Sequence, residues 1–298
     1  MSYSISDLEQ LSGISVHNIR IWERRYNALQ PLRTGGNTRF YDDGQLKRLL
    51  NIAGLYYSGH KISKACSMNR EEMEGFLQKE IDTTISKENH FEYYISQIVN
   101  NGMEYKEYEV NQLIQRCSDQ YGLLDTYKFV IYPLLVRLGL MWRQDSLCPS
   151  QEHFLSSIFR QRLFCAINDC PKAADDAEKW LLFLPESEDH DIGLLLASYL
   201  LRTAGKQVVY LGPKVPLFAL KNTVNSTAPS NLLFFMTRLR PVDDARSYIS
   251  ELTREFSGKK IYVSGNQRVL AEVDFPAQTY WLKTLNNFEE TINPGLKS

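Results

Sequence analysis

The chain has 298 residues and sets 34 Lys and Arg against 35 Asp and Glu, so its net charge of -1 excludes a bulk electrostatic preference for any partner. A hydrophobic share of 43% and an aromatic share of 12% are those of a folded chain of two or three domains, each able to bury a core. No apolar run reaches the roughly eighteen residues of a membrane helix, Met1-Ser2-Tyr3-Ser4 begins no secretory signal, and five scattered cysteines form neither a disulfide framework nor a paired zinc pattern; the expectation is a cytoplasmic protein without a membrane partner.

The charge is unevenly placed. Between Val16 and Arg48 seven basic residues, Arg20, Arg24, Arg25, Arg33, Arg39, Lys47 and Arg48, stand against three acidic ones, Glu23, Asp42 and Asp43, which is the footprint that phosphate contacts leave. Ser4-Ile5-Ser6-Asp7-Leu8 is a helix-capping signal, Leu8 and Leu11 continue an apolar face to Gly13, and Ser15 caps a second helix through about Tyr26. Two short helices around a tight Ser-Gly-Ile-Ser turn have helix-turn-helix spacing. In the second, Ile19 and Trp22 face the core, while His17, Asn18, Arg20, Arg24 and Arg25 remain available to a groove and its phosphates. Pro31 to Tyr41 reads as two short strands around Gly35-Gly36-Asn37, with Arg33 and Arg39 flanking the tip, and Asp42 starts a helix to about Tyr57. The bland alternative is an ordinary small helical domain with surface arginines.

In this order, Ser4-Ile5-Ser6, Leu11-Ser12-Gly13-Ile14-Ser15, Ile19-Arg20-Ile21-Trp22-Glu23-Arg24-Arg25-Tyr26, Pro31, Arg33 and Arg39-Phe40-Tyr41 resemble the winged helix-turn-helix head of the MerR family of transcriptional regulators. The resemblance covers residues 1-75 and implies binding of double-stranded operator DNA as a homo-oligomer, a dimer or tetramer, since one head presents too little surface for tight specific binding.

From Asn69 to about Lys87 the composition turns acidic and helical, a link to the rest. His90-Asn100, Glu104-Gln120, Leu123-Arg143 and Pro149-Asn168 then read as helices with short connections, a pattern that favours an antiparallel four-helix bundle over residues 88-170. Within it, nine residues separate Trp142 from the pair Glu152-His153. Taken alone, these are core packing and a surface pair. Their spacing is similar to the W-x9-E-H motif in the cap of light-sensing, cobalamin-dependent MerR-type regulators, which implies that Trp142, Glu152 and His153 cover the upper face of a corrin. Those photoreceptors commonly carry histidine after the tryptophan, where this chain has Arg143, and a guanidinium cannot ligate cobalt. Either another group such as His153 takes that position, or the chain senses cobalamin without a light-driven adduct.

Residues 178-298 alternate strand and helix. Trp180-Leu184 is a short apolar strand ended by Pro185, Ile192-Leu201 an apolar helical face stopped by Gly205, and Gln207-Leu211 a second strand. Pro216-Asn225 reads as helix, Asn231-Thr237 as strand, Val242-Phe256 as helix, Lys260-Val263 as strand and Ala277-Phe288 as a terminal helix before a frayed Thr291-Ser298 tail. The pattern indicates a Rossmann-like α/β domain with a parallel sheet, without Gly-x-Gly-x-x-Gly or a Walker loop. The loop Glu188-Asp189-His190-Asp191 lies at the carboxyl end of the first strand, where open α/β sheets bind ligands. Its carboxylates could equally cap the following helix, a role in which His190 gains nothing. An imidazole with a carboxylate two residues away is a suitable metal ligand.

Glu188-x-His190-x-x-Gly193 resembles the D/E-x-H-x-x-G signature of cobalamin-binding domains. The likeness extends to Leu211-Gly212, to Thr237-x-Leu239 in place of Ser-x-Leu, and to Ser264-Gly265-Asn266 in place of Gly-Gly. It implies adenosylcobalamin as cofactor, His190 as lower axial ligand of cobalt, and Thr237, Leu239, Gly265 and Asn266 along the nucleotide tail or corrin. The whole chain then resembles a repressor of pigment or light-protection genes that tetramerises in the dark with adenosylcobalamin. A relative acting through protein contacts alone is the alternative, motivated by Arg143 and Asn266. A cobalamin enzyme is excluded, because no substrate-sized catalytic domain remains once head, bundle and sheet are counted.

Overall fold

The computed structural model describes residues 2-33, 39-57, 60-69, 72-73, 87-142 and 149-293, and the chain divides into two compact units, Met1–Phe159 and Arg160–Ser298.

The first unit opens with α1 (Ile5–Ser12), whose start is a reciprocal capping box: Ser4 Oγ accepts from the Asp7 amide and the Asp7 carboxylate from the Ser4 amide. Gly13, at φ 70°, ends it in the left-handed region. Ser15 then accepts from the Asn18 amide to start α2 (Val16–Tyr26). Leu8, Leu11, Ile19 and Trp22 are buried as the periodicity requires. Strands β1 (Leu32–Arg33) and β2 (Arg39–Phe40) pair antiparallel with Arg33 opposite Arg39; the expected Gly35-Gly36-Asn37 tip lies outside the described residues. Asp42 caps α3 (Asp43–Tyr57) by accepting from the Gln45 amide at 2.9 Å, and α4 (Ile62–Ser67) follows. The acidic link expected from Asn69 to Lys87 lies mostly outside the described residues.

Helices α5 (Lys87–Met103), α6 (Glu107–Thr126), α7 (Tyr132–Trp142) and α8 (Pro149–Asn168) come next. The sequence suggested one helix over Leu123-Arg143, but Tyr127–Ile131 is a π-helical stretch that separates α6 from α7. Gly122, at φ 82° and ψ 158°, kinks α6, and the Thr126 hydroxyl donates back to the Gly122 carbonyl at 2.9 Å, a side-chain bond of the kind that distorts helices. Helix α5 packs on α3 of the head: Asn100 Nδ2 donates to Asn51 Oδ1 at 3.1 Å, and Lys47 and Lys106 share the Glu104 carboxylate.

The second unit runs β3 (Lys179–Pro185), α9 (Ile192–Thr203), β4 (Gln207–Val215), α10 (Leu217–Thr227), β5 (Asn231–Met236), α11 (Val242–Glu255), β6 (Lys260–Gly265), α12 (Gln267–Leu270), β7 (Thr279–Trp281) and α13 (Leu285–Ile292). All five strands are parallel, in the order β4-β3-β5-β6-β7. The uninterrupted apolar run of β3 is explained by its central place: Leu181 sits beside Val209 on one side and Leu232 on the other and is fully buried. Because the chain steps from β3 to β4 on one side and then to β5 on the other, the strand order reverses at β3 and β5, and their carboxyl ends border a crevice.

One expected element is wrong. The helix proposed over Ala277-Phe288 is instead strand β7 followed by α13. Gln278 has a φ of 67°, and the aromatic pair Tyr280-Trp281 suits a pleated surface better than a helix. Tyr280 stacks on Tyr262 of β6, with ring centroids 5.2 Å apart, and Tyr262 stacks on Trp180 at 4.9 Å.

Gly265 ends β6 at φ 140°, and a Cβ there would lie 2.1 Å from the Met236 carbonyl oxygen. Gly205, at φ 73°, has open space around it. Gly265→Ala is therefore expected to destabilise by more than about 2 kcal/mol, strain and clash together, and Gly205→Ala by only about 1 kcal/mol. Urea unfolding of the two variants checks the order, and equal losses would contradict the close strand approach.

Candidate functional site

Glu188 is the centre of the crevice. The turn after β3 closes when the Glu188 amide donates to the Pro185 carbonyl at 2.8 Å, which sends the side chain inward, where it is fully buried. Oε1 accepts from His190 Nδ1 at 2.5 Å and from the amides of Asp189 and His190 at 3.2 and 3.3 Å. Oε2 accepts from the amides of Thr237 and Arg238, at the end of β5, at 2.7 and 2.8 Å, and from Arg240 Nη2 at 3.3 Å. One carboxylate thus joins the loops on either side of the crevice. Burial would raise its pKa, but the His190 ring, the two β5-loop amides and the His190 charge hold it down to about 2.

An ionised carboxylate only accepts, so His190 Nδ1 must donate to it, which fixes the tautomer and leaves Nε2 as the nitrogen with a lone pair. The hydrogen bond it donates to Glu188 raises the imidazole pKa above 6.5 against the opposing effect of burial. The His190 side chain is 52% exposed, so it is held from behind and open in front. Glu188, Asp189 and His190 bring donor atoms within 4.8 Å of one another, but both carboxylates already have cationic partners. Arg238 Nη2 meets both Asp189 oxygens at 2.8 Å, Lys214 approaches Asp189 at 3.6 Å, and Arg240 reaches Glu188. The imidazole is the donor left for a metal.

The capping role considered for this loop is not observed. Asp191 occupies the N-cap of α9 without a side-chain capping bond and instead takes Arg160 Nε at 2.6 Å. Gly193, one turn in, has the Phe235 ring edge 2.9 Å from where a Cβ would stand, so the glycine allows α9 to lie close to β5. Thr237 offers its backbone amide to Glu188, and Leu239 projects from the same loop, 72% exposed. Asn266 caps α12: its side chain accepts from the Arg268 amide at 3.0 Å, and its own amide donates to the Met236 carbonyl at 2.8 Å. The structure thus gathers Glu188, His190, Gly193, Thr237 and Leu239 around the ends of β3 and β5, with Gly265 and Asn266 at the end of β6. Arg160, Arg238 and Arg240 were missed from sequence; the only signal was the alternation of charge with Thr237 and Leu239.

In the first unit, Trp142 is the last residue of α7, with its side chain outside the described portion, as is all of Arg143. Glu152 and His153 are in the first turn of α8, 3.4 Å apart, and the His153 side chain is 75% exposed.

On the head, His17, Arg20, Arg24 and Arg25 are exposed along α2, Asn18 is half-buried, and Arg33 is exposed on β1. Arg39 lies 3.6 Å from Glu23, which also accepts the Tyr41 hydroxyl at 2.5 Å, so this arginine ties the wing to α2. Two cations of the basic footprint are structural. Arg48 donates to the carbonyls of Ala28 and Cys66 at 2.8 Å, and Lys47 is paired with Glu104.

A capped helix-turn-helix with a basic second helix and a two-stranded wing, joined in one chain to a doubly wound parallel sheet, defines a DNA-binding regulator with a ligand-domain fold. Residues 3–68 match the family model described as MerR HTH family regulatory protein. The chain is 28% identical over 268 residues to the HTH-type transcriptional repressor CarH of Myxococcus xanthus, covering 89% of each protein. It is 24% identical to the repressor CarA of the same organism, covering 89% of this chain and 87% of that one. Among solved structures it is similar to the monomethylamine corrinoid protein of Methanosarcina barkeri, with a TM-score of 0.52, 14% identity, and coverage of 65% of this chain and 94% of that one, a likeness of fold. Both of these relatives are named as transcriptional repressors. Among the described residues no helix is long and apolar enough to cross a membrane.

Replacing Glu188 by Ala leaves two β5-loop amides without their acceptor and removes the carboxylate that faces the Arg240 guanidinium. The expected loss is about 3-5 kcal/mol, against less than about 1 kcal/mol for His190→Ala at a half-exposed ring. Denaturant unfolding would read the difference, and a Glu188→Ala loss no larger than that of His190→Ala would contradict the bridging role.

Proposed function

We propose that the chain is a transcriptional repressor whose operator binding is governed by a cobalamin, with His190 as lower axial ligand of the cobalt. The observation that carries this reading is the buried Glu188 carboxylate behind a half-exposed imidazole, which fixes the tautomer of a metal-binding histidine and raises its basicity as a ligand. The residues fit the group in three further respects. The free nitrogen is Nε2, the carboxylates beside it are already neutralised so that they do not compete for the metal, and the close approach at Gly265 keeps side-chain bulk away from the end of β6. Thr237, Leu239, Gly265 and Asn266 would follow the nucleotide tail. The division of labour is then a head over residues 1-75, a helical cap over 88-170 carrying Trp142, Glu152 and His153, and a cobalamin domain over 178-298.

When bound, adenosylcobalamin supplies a bulky, light-sensitive ligand whose presence and upper substituent report on the cell. The chain's own groups do the holding: Glu188 orients His190, and Asp191 is fixed by Arg160 so that the loop enters α9 in one conformation. Control through light-driven ligation at residue 143 is not part of the proposal, because Arg143 offers no lone pair. The exposed α2 residues His17, Arg20, Arg24 and Arg25, together with Asn18, Arg33 and Arg39, form the operator face, used by a dimer or larger homo-oligomer.

Protein purified with adenosylcobalamin is expected to retain a corrin absorbance spectrum through gel filtration, and His190→Ala to lower the affinity by at least about tenfold. No retained spectrum, or unchanged affinity and spectrum in the variant, would contradict the assignment. Comparison of mass and operator binding in dark and illuminated samples then distinguishes a light-responsive repressor from a chemical sensor.

Arg24→Ala is expected to weaken operator binding uniformly across sequences and to reduce the slope of log affinity against log salt by about 1. An Arg24→Ala titration superimposable on the wild type would remove α2 from the DNA face.

A further inference from the structure

The basic stretch from Val16 to Arg48 holds three carboxylates, and two of them serve α3: Asp42 caps it, and Asp43 accepts the Tyr3 hydroxyl at 2.9 Å. The third, Glu23, stands on α2 itself, among the arginines exposed there, where a negative charge repels phosphate. Its side chain is only 9% exposed, because it follows the buried Ile19 by one turn and adjoins the buried Trp22, on the flank of the helix beside the wing. There Oε1 accepts the Tyr41 hydroxyl at 2.5 Å, and Oε2 lies 3.6 Å from Arg39 Nε.

Residues two apart in an extended segment share a face, so Arg39 and Tyr41 meet the same carboxylate. They are held differently. Tyr41 is fully buried, and its amide and carbonyl pair with those of Tyr3 at 2.9 and 2.8 Å. Burial and the bond to Glu23 push its phenol up, so the hydroxyl stays a donor. Arg39 is steered by charge alone: its Nε has no hydrogen-bond acceptor, and among the described residues its guanidinium makes no hydrogen bond. Its side chain is 37% exposed, which leaves its N–H donors available to an anion. Arg33 stands directly opposite it across the wing, and like charges in such a pair are destabilising; a phosphate shared by the two would relieve the repulsion.

We propose that Glu23 is a positioning residue of the DNA face, an acid that turns the Arg39 guanidinium toward a backbone phosphate. The inference rests on the reading of α2 and the wing as the operator face and adds an anion to its working parts. Charge counting gives the opposite sign: removing a carboxylate from a DNA-binding surface should strengthen binding. Here its removal weakens binding, because the steering of Arg39 outweighs the repulsion of phosphate. The effect depends on the arginine. Without Arg39 only the repulsion remains, and loss of the Glu23 charge then no longer harms binding. A Glu23 that merely held the head together would weaken binding whether or not Arg39 is present.

The test takes the DNA duplex that the full-length wild type enriches from a random-sequence pool and measures its affinity for wild type, Glu23→Gln, Arg39→Ala and the double variant across a range of salt. Glutamine keeps an acceptor for the Tyr41 hydroxyl and removes only the charge, and urea unfolding of each variant reports the stability of the head separately. Arg39→Ala is expected to weaken binding about tenfold, the loss of one charge-assisted contact, and to lower the salt slope by about 1. Glu23→Gln should weaken the wild type about threefold, part of that contact, yet leave Arg39→Ala unchanged or stronger. An effect of Glu23→Gln in the same direction in both backgrounds, or none in the wild type, would overturn the positioning role. So would an Arg39→Ala titration that superimposes on the wild type while Arg24→Ala loses affinity. No enriched duplex, or binding unchanged in both arginine variants, would overturn the operator face and this inference together.

Discussion

The second unit depends on one buried charge. The Glu188 carboxylate has no access to solvent, and an unpaired charge there would be untenable. It is tolerated because it accepts from the His190 ring, two amides of its own loop, two amides of the β5 loop and Arg240. Structure and site cannot be separated at this position. The bonds that stabilise the carboxylate also set the tautomer of the imidazole and close the distance between the ends of β3 and β5. A ligand that pulls on His190 therefore acts on a group already bonded to the neighbouring loop.

The backbone prepares that arrangement. The strand order reverses at β3 and β5, so their loops part and leave the crevice. Gly193 lets α9 approach Phe235, and Gly265 lets β6 approach Met236. In the first unit, side-chain bonds have the corresponding task. Arg48 clasps the carbonyls of Ala28 and Cys66, Glu23 gathers Arg39 and Tyr41, and the Asn51–Asn100 contact joins α3 to α5. The exposed cations of α2 are displayed by this framework, whereas Lys47 and Arg48 are part of it.

Much of this was legible in the sequence where local chemistry and tertiary need agree. Ser4, Asp7 and Ser15 cap the helices their spacing announces, and the apolar run from Trp180 to Pro185 is the central strand. The Glu188-x-His190 spacing does place a carboxylate behind an imidazole. What was not legible depended on distant partners. Nothing near Ala277-Phe288 says that Tyr262 will stack on Tyr280 and draw the segment into the sheet as β7. The helical count in Leu123-Arg143 hides a π stretch that follows the kink at Gly122 and the Thr126 hydroxyl bonded back to its carbonyl. Charge counting placed Arg48 in the basic footprint because it cannot distinguish a guanidinium facing outward from one held against carbonyls. Arg238 and Arg240 were overlooked for a similar reason: their significance lies in Ser187, Glu188 and Asp189, about fifty residues earlier.

The claim that His190 ligates cobalt is tested most directly by electron paramagnetic resonance of the full-length protein loaded with cob(II)alamin, comparing ordinary protein with protein whose histidines carry the heavy isotope of nitrogen. The account predicts that the axial nitrogen splitting changes from a triplet to a doublet on labelling, because the nitrogen belongs to the protein. A triplet that survives labelling would show that the cobalt keeps the vitamin's own base, and would contradict the account.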